Sequence, residues 1–90
     1  MLYVLVCKDK ENATELRQAT RPDHLEYVGQ HNIQSGGPLL SDDEATPIGS
    51  LIILDAQSLA EAQAFAEADP YAKAGLFASV TITPFKKTVG

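Results

Sequence analysis

The chain opens on an almost unbroken apolar run, "MLYVLVCK", whose two interleaved sets, Leu2, Val4, Val6 and Tyr3, Leu5, Cys7, are both mainly apolar. β-Branched and aromatic residues bounded by charge predict a strand. Apolar residues on both of its faces predict cover on both. From about residue 13 to residue 32 the spacing changes, with Leu16, Ala19, Leu25 and Val28 recurring near a helical period. Pro22 falls inside this segment. Proline costs about 3 kcal/mol in a helix interior but is accepted in a first turn. Two pieces are therefore expected, a short helix ending before Arg21 and a longer one from Pro22 to about His31.

Residues 33–37 read as a second strand, weakened by Gly36 and Gly37, and "SDDEATPIG" reads as a turn-rich loop. Residues 49–56, "GSLIILDA", read as a third strand, apolar on both faces at its centre. "DAQSLAEAQAFAEAD" carries the clearest helical signal: Ser58 is a good N-cap and Glu61 completes a capping box. Leu59, Ala62, Phe65 and Ala66 form one face of it. Pro70 either ends this helix or begins a further turn. Gly75 then releases the chain into a fourth strand, "LFASVTITPF", with Pro84 marking its end or a bend and "KKTVG" as a tail.

The resulting order, β-α-β-β-α-β, is that of a ferredoxin-like α+β fold, a four-stranded antiparallel sheet with both helices on one face. The other face is then bare. Yet Leu2 or Tyr3, Leu51 or Ile52, and Phe77 or Val80 must point to it, and an exposed apolar patch of this kind marks an interface. A homodimer that packs two sheets face to face, or closes them into a shared barrel, is the expected solution.

Size and composition agree with this. A chain of 90 residues, 44% hydrophobic and 21% charged, is expected to form a single domain over residues 1–90. Domains of this size bury only about two-thirds of the unfolded chain's surface, so association is a common source of added stability. The net charge of −5 argues against nucleic acid or an anionic membrane as partner. No apolar run approaches the roughly 20 residues that span a bilayer, and the first ten residues read as a strand and not as a secretory signal. One cysteine leaves no disulfide framework and no multi-cysteine zinc site. A cytoplasmic location is expected.

The chemistry-bearing residues are few. His24, in "TRPDHLEYV", starts the expected second helical piece, and Asp69 ends the helix that follows the third strand. Both helices lie on one side of the sheet, so the two side chains can meet, and an imidazole beside a carboxylate is a general-base pair. Spacing alone equally allows a half-exposed histidine and a carboxylate beside a turn. The glycines of "SGGPLL" mark a bulge or a backbone that must come close to something, here a ligand at Ser35, Gly36, Gly37 and Pro38. Arg21 can hold an anion, or pair with Asp23 or Glu26 on the surface. Tyr71 can donate a hydrogen bond into a pocket, or cover a helix end with its ring. "SDDE", residues 41–44, lacks the alternating oxygen ligands of a calcium loop and reads as a solvated turn. His31 is expected to face solvent, and Cys7 to pack in its strand.

Taken together, "LRQATRPDHLEYV", "SGGPL", "ADPYAKAGLF" and "VTITPFKK" resemble the YCII-related proteins over nearly the whole chain. The resemblance implies a ferredoxin-like fold that dimerises through its sheets, related to dimeric barrels of the muconolactone isomerase and antibiotic-monooxygenase type. It also implies an active site built on a histidine and an aspartate, carried here by His24 of "RPDHL" and Asp69 of "ADPY". The leading functional expectation is an enzyme acting on a small carbonyl-bearing or ring-derived molecule by isomerase, lyase or dehydrochlorinase-like chemistry, with no metal and no organic cofactor. The alternative is a non-catalytic module that binds a small ligand or another protein.

Overall fold

The computed structural model describes all 90 residues, Met1–Gly90. Its elements are β1 (Leu2–Asp9), α1 (Thr14–Val28), β2 (Ile33–Leu40), β3 (Pro47–Asp55), α2 (Leu59–Ala68), α3 (Pro70–Lys73) and β4 (Phe77–Phe85). The strands pair antiparallel in the order β2-β3-β1-β4, which is the ferredoxin-like arrangement.

Strand alternation sends Tyr3, Leu5 and Cys7 of β1 and Ile52 and Leu54 of β3 to the helix side, where they pack with Ala62, Phe65 and Ala66 of α2. Small alanines let α2 approach β1 and β4 closely. Leu59, expected on the same face, lies in the exposed first turn instead. One half of the expected capping box forms, with Ser58 Oγ accepting from the Glu61 amide at 3.1 Å, while the Glu61 carboxylate reaches past the N-cap to the Gln57 amide at 3.4 Å.

The opposite sheet face is now specified. Val4 stands across from Ile53 and Thr83, and Val6 across from Leu51 and Thr81. Leu2 and Leu51 are thus the members of their pairs that point away from the helices. On β4 neither Phe77 nor Val80 does. Val80 sits opposite the inward Cys7, and a bulge at Ala78 swings Phe77 inward, since Lys8 pairs with Ser79 but Asp9 with Phe77. Phe77 meets the Tyr71 ring edge-on at 5.9 Å. The bare face is therefore an aliphatic stripe from β1 and β3, bordered on β4 by threonines.

The helical segment after β1 is one helix, not two, and Pro22 lies inside it. Proline removes one backbone hydrogen bond, but tertiary contacts hold the turns on its C-terminal side. His24 binds Asp69, and the Tyr27 hydroxyl donates to the Phe65 carbonyl at 2.8 Å. The residues that signalled the helix are not the ones it buries. Leu16 and Leu25 are exposed, while Arg17 and His24 are 6% and 9% exposed. α1 packs chiefly on α3 and touches the sheet little, which leaves a cleft between its inner face and β2–β3. Both strands flanking the loop are longer than expected: β2 continues to Leu40 and β3 begins at Pro47.

At Gly49, paired with Lys8, β3 leaves no room for a side chain beside β1. A Cβ there would overlap the Cys7 carbonyl oxygen, and backbone cannot yield as a flexible side chain can. Gly49→Ala is therefore expected to destabilise the protein by about 1–3 kcal/mol, read as a lowered urea midpoint. Gly37→Ala is the control, because a Cβ at Gly37 meets nothing within 4 Å.

Candidate active site

Arg17, Arg21 and His24 fall at i, i+4 and i+7 on α1, a spacing that places them on one face of a helix. That face lines the cleft. Asp69 reaches it from the junction of α2 and α3. The residue before a proline is pushed out of the α region, and Asp69 has φ −59° and ψ 129°. It therefore ends α2 and, from the same position, caps α3, with Pro70 in the first turn. Asp69 Oδ1 accepts from the Tyr71 amide at 2.9 Å and lies 2.8 Å from His24 Nδ1.

A carboxylate only accepts, so Nδ1–H donates to Asp69 and Nε2 is the ring nitrogen left for a ligand. The imidazole also lies on the Tyr71 ring, with centroids 4.0 Å apart and planes at 18°. Two turns away along α1, the Arg17 guanidinium sits 4.6 Å from the centroid of the same ring. Tyr71 thus ties together the two buried polar side chains of α1.

Arg17 is itself fully engaged. Nε and Nη2 fork onto the two Asp9 oxygens at 2.7 and 3.1 Å, and Nη2 also donates to Ser50 Oγ at 2.8 Å. Nη1 lies 3.5 Å from the Tyr71 hydroxyl, the long limit of a hydrogen bond. Burial pulls the guanidinium pKa down, but hydrogen bonding to Asp9 and its charge outweigh burial and hold it above its ordinary value. Burial raises the Tyr71 hydroxyl, partly offset by Arg17 and Arg21, so the phenol keeps its proton at neutral pH. Burial, with Asp69 adding to it, pushes the Cys7 thiol up to about 12, in keeping with a packed and unreactive cysteine.

The cleft has a volume of about 430 Å³, within the usual range for small-molecule sites. α1 contributes the cationic stripe. β2 and β3 contribute Gly36, Pro38, Ser50 and Ile52, and α3 contributes Tyr71. Of the residues expected in a site, His24, Asp69, Arg21, Gly36, Gly37, Pro38 and Tyr71 come to this one place, Asp69 through its bond to His24. Ser35 does not. It pairs with Ile53 on the outer face of the sheet and does not line the cleft. Arg21 pairs with neither Asp23 nor Glu26. His31 is exposed, its Nδ1 2.8 Å from the Tyr27 carbonyl. No group of three or more His, Cys, Asp or Glu side chains is placed to hold a metal ion, and no helix is long and apolar enough to cross a membrane.

Sequence reasoning missed Arg17, Asp9 and Ser50. They come from three different elements, and the pairing of β1 with β3 brings two of them together. One signal was present: Arg17 precedes His24 by seven residues and so shares its helix face.

The fold and the site define a ferredoxin-like α+β protein with a histidine–aspartate pair in a cleft between the first helix and the sheet. The chain belongs to the YCII-related family, whose domain matches residues 1–86. Protein YciI of Escherichia coli is 38% identical over 96 residues, covering 97% of this chain and 98% of the relative. An uncharacterized protein of Haemophilus influenzae is 34% identical over the same shares. Among solved structures, the 5-chloro-2-hydroxyhydroquinone dehydrochlorinase TftG of Burkholderia phenoliruptrix, in complex with 2,5-dihydroxybenzoquinone, superposes with a TM-score of 0.90. It is 34% identical, with 98% of this chain and 96% of that one covered.

Proposed function

We propose that this protein is an enzyme that moves a proton on a small ring-derived or carbonyl-bearing molecule, with His24 as the general base and acid and Asp69 as its orienting partner. One observation carries the reading: His24 lines the cleft while Nδ1 is committed to a buried carboxylate, leaving Nε2 for a substrate. In an elimination, Nε2 takes a proton from a substrate hydroxyl or C–H. On a hydroxylated ring this takes two transfers: the first hydroxyl proton passes through His24 to the carbon bearing the leaving group, and loss of a second hydroxyl proton then expels that group as an anion. When that group is chloride, proton and anion together make HCl and no oxidant is consumed. Asp69 stabilises the imidazolium formed in the step. The dehydrochlorinase activity of TftG supports chemistry of this kind in this fold.

The test is chloride release from chlorinated hydroxyhydroquinones. Turnover by the parent protein, lost in His24→Gln with the fold intact by circular dichroism, is the expected result. Turnover that survives His24→Gln refutes the role of His24. Ligand binding without turnover of any chlorinated or lactone substrate favours the non-catalytic module instead.

A further inference from the structure

Charge is distributed unevenly between the cleft and the rest of the molecule. The chain carries a net charge of −5 with twelve Asp and Glu residues, none of which lines the cleft, whereas both of its arginines do. The charged groups in and behind the cleft can be placed one by one. Arg17 is neutralised by the bidentate contact with Asp9 at 2.7 and 3.1 Å. The Asp69 carboxylate is buried behind His24, held by the ring Nδ1–H and the Tyr71 amide, and does not line the cleft or pair with Arg21. Arg21 is exposed, lines the cleft and takes part in no ion pair. It shares its helix face with His24, three residues further on, so an anion held by its guanidinium lies beside the imidazole.

From this balance we infer that the cleft selects a singly charged, small organic anion, a carboxylate or an enolate, docked by Arg21 with its reacting end toward His24. The inference rests on the proposed function only for the identity of the site. Guanidinium suits such oxygens because its planar fork can donate two parallel hydrogen bonds to them. The acidic remainder of the surface disfavours the same anion elsewhere. It also disfavours polyanions, for which the cleft offers a single unpaired cation. A volume of about 430 Å³ admits one ring with its substituents.

The experiment compares 3,4-dihydroxybenzoate with its shape-matched neutral amide. Binding is followed by amide chemical-shift changes in the ¹⁵N-labelled protein. The benzoate should bind about tenfold more tightly or better, as expected for a charge-assisted contact, with its shifts centred on α1 and Gly36. Added salt should weaken the benzoate alone. Arg21→Gln should reduce benzoate affinity to that of the amide and leave amide affinity unchanged; Arg21 is exposed, and an otherwise unchanged amide spectrum checks that the variant keeps its fold. Equal binding of the two compounds, no cleft shift with millimolar benzoate, or full benzoate affinity in Arg21→Gln each overturns the inference. Chloride release is scored separately. Anion selectivity without turnover sinks the acid–base reading and leaves this one standing, whereas turnover of neutral substrates with no anion preference does the reverse.

Discussion

Arg17→Met is expected to lower stability by about 3–5 kcal/mol, the cost of leaving a buried charge without its partner. A chain of 90 residues has a total stability of roughly 5–13 kcal/mol, so the variant should be largely unfolded well below the parent's melting temperature. The reasoning turns on Asp9. Its side chain is 6% exposed and that of Arg17 is 7% exposed, so removing the guanidinium strands a carboxylate that solvent reaches poorly. Ser50 Oγ loses its donor as well. The pair itself is not therefore a source of large net stability. Replacing both members by apolar residues of similar volume is often neutral. Arg17→Met combined with Asp9→Leu should accordingly recover most of the loss. Urea denaturation of the two single variants and the double variant measures this. A double variant as unstable as the sum of the singles would mean that the two side chains do not act as a pair.

The order of elements could be read from the sequence because each depends on local signals: strand composition, the Ser58–Glu61 box, and the Asp69-Pro70 junction. What could not be read depends on contacts between distant parts of the chain. The local cost of Pro22 predicts a break, whereas the helix is held beyond it through His24 and Tyr27, whose partners Asp69 and Phe65 lie 45 and 38 positions further along the chain. The buried face of α1 was hidden for a related reason. An amphipathic pattern assumes that apolar residues face inward, but this helix turns arginine and histidine inward and leaves Leu16 and Leu25 outside. Such an inversion needs partners supplied by β1, β3 and the α2–α3 junction, and nothing in α1 itself announces them. His24 and Asp69 were legible because the segments around them, "RPDHL" and "ADPY", resemble a known family. Arg17 lies in a segment that shares the resemblance, but no role came with it, and its one signal was the seven-residue offset from His24. The bulge at Ala78 left only a faint mark: the inward Phe77, Val80 and Ile82 are spaced by three and then two, and such a break in alternation is read as an extra residue only once the partner strand is in place.

Asp69→Asn is expected to cut turnover by about 10²–10⁴-fold, the usual range for general acid–base assistance, while changing stability little. The two roles of Asp69 make this substitution informative. As a cap it accepts from the Tyr71 amide at 2.9 Å, and in the proposed reaction it orients His24, whose Nδ1 lies 2.8 Å away. Asparagine is about as good a cap as aspartate, whereas alanine costs about 1 kcal/mol at such a position. The first role therefore survives in Asp69→Asn and is lost in Asp69→Ala. The charge that stabilises an imidazolium is lost in both. The ring tautomer gives a readout independent of any substrate. In the parent protein the neutral His24 should carry its proton on Nδ1, donated to Asp69, and long-range ¹H–¹⁵N spectra distinguish that form. In Asp69→Ala the ring is released from this constraint and should show Nε2–H, while His31, exposed and bonded to the Tyr27 carbonyl, should keep its spectrum in every variant. A parent His24 with its proton on Nε2, or a spectrum indifferent to Asp69→Ala, would show that the carboxylate does not set the state of the ring.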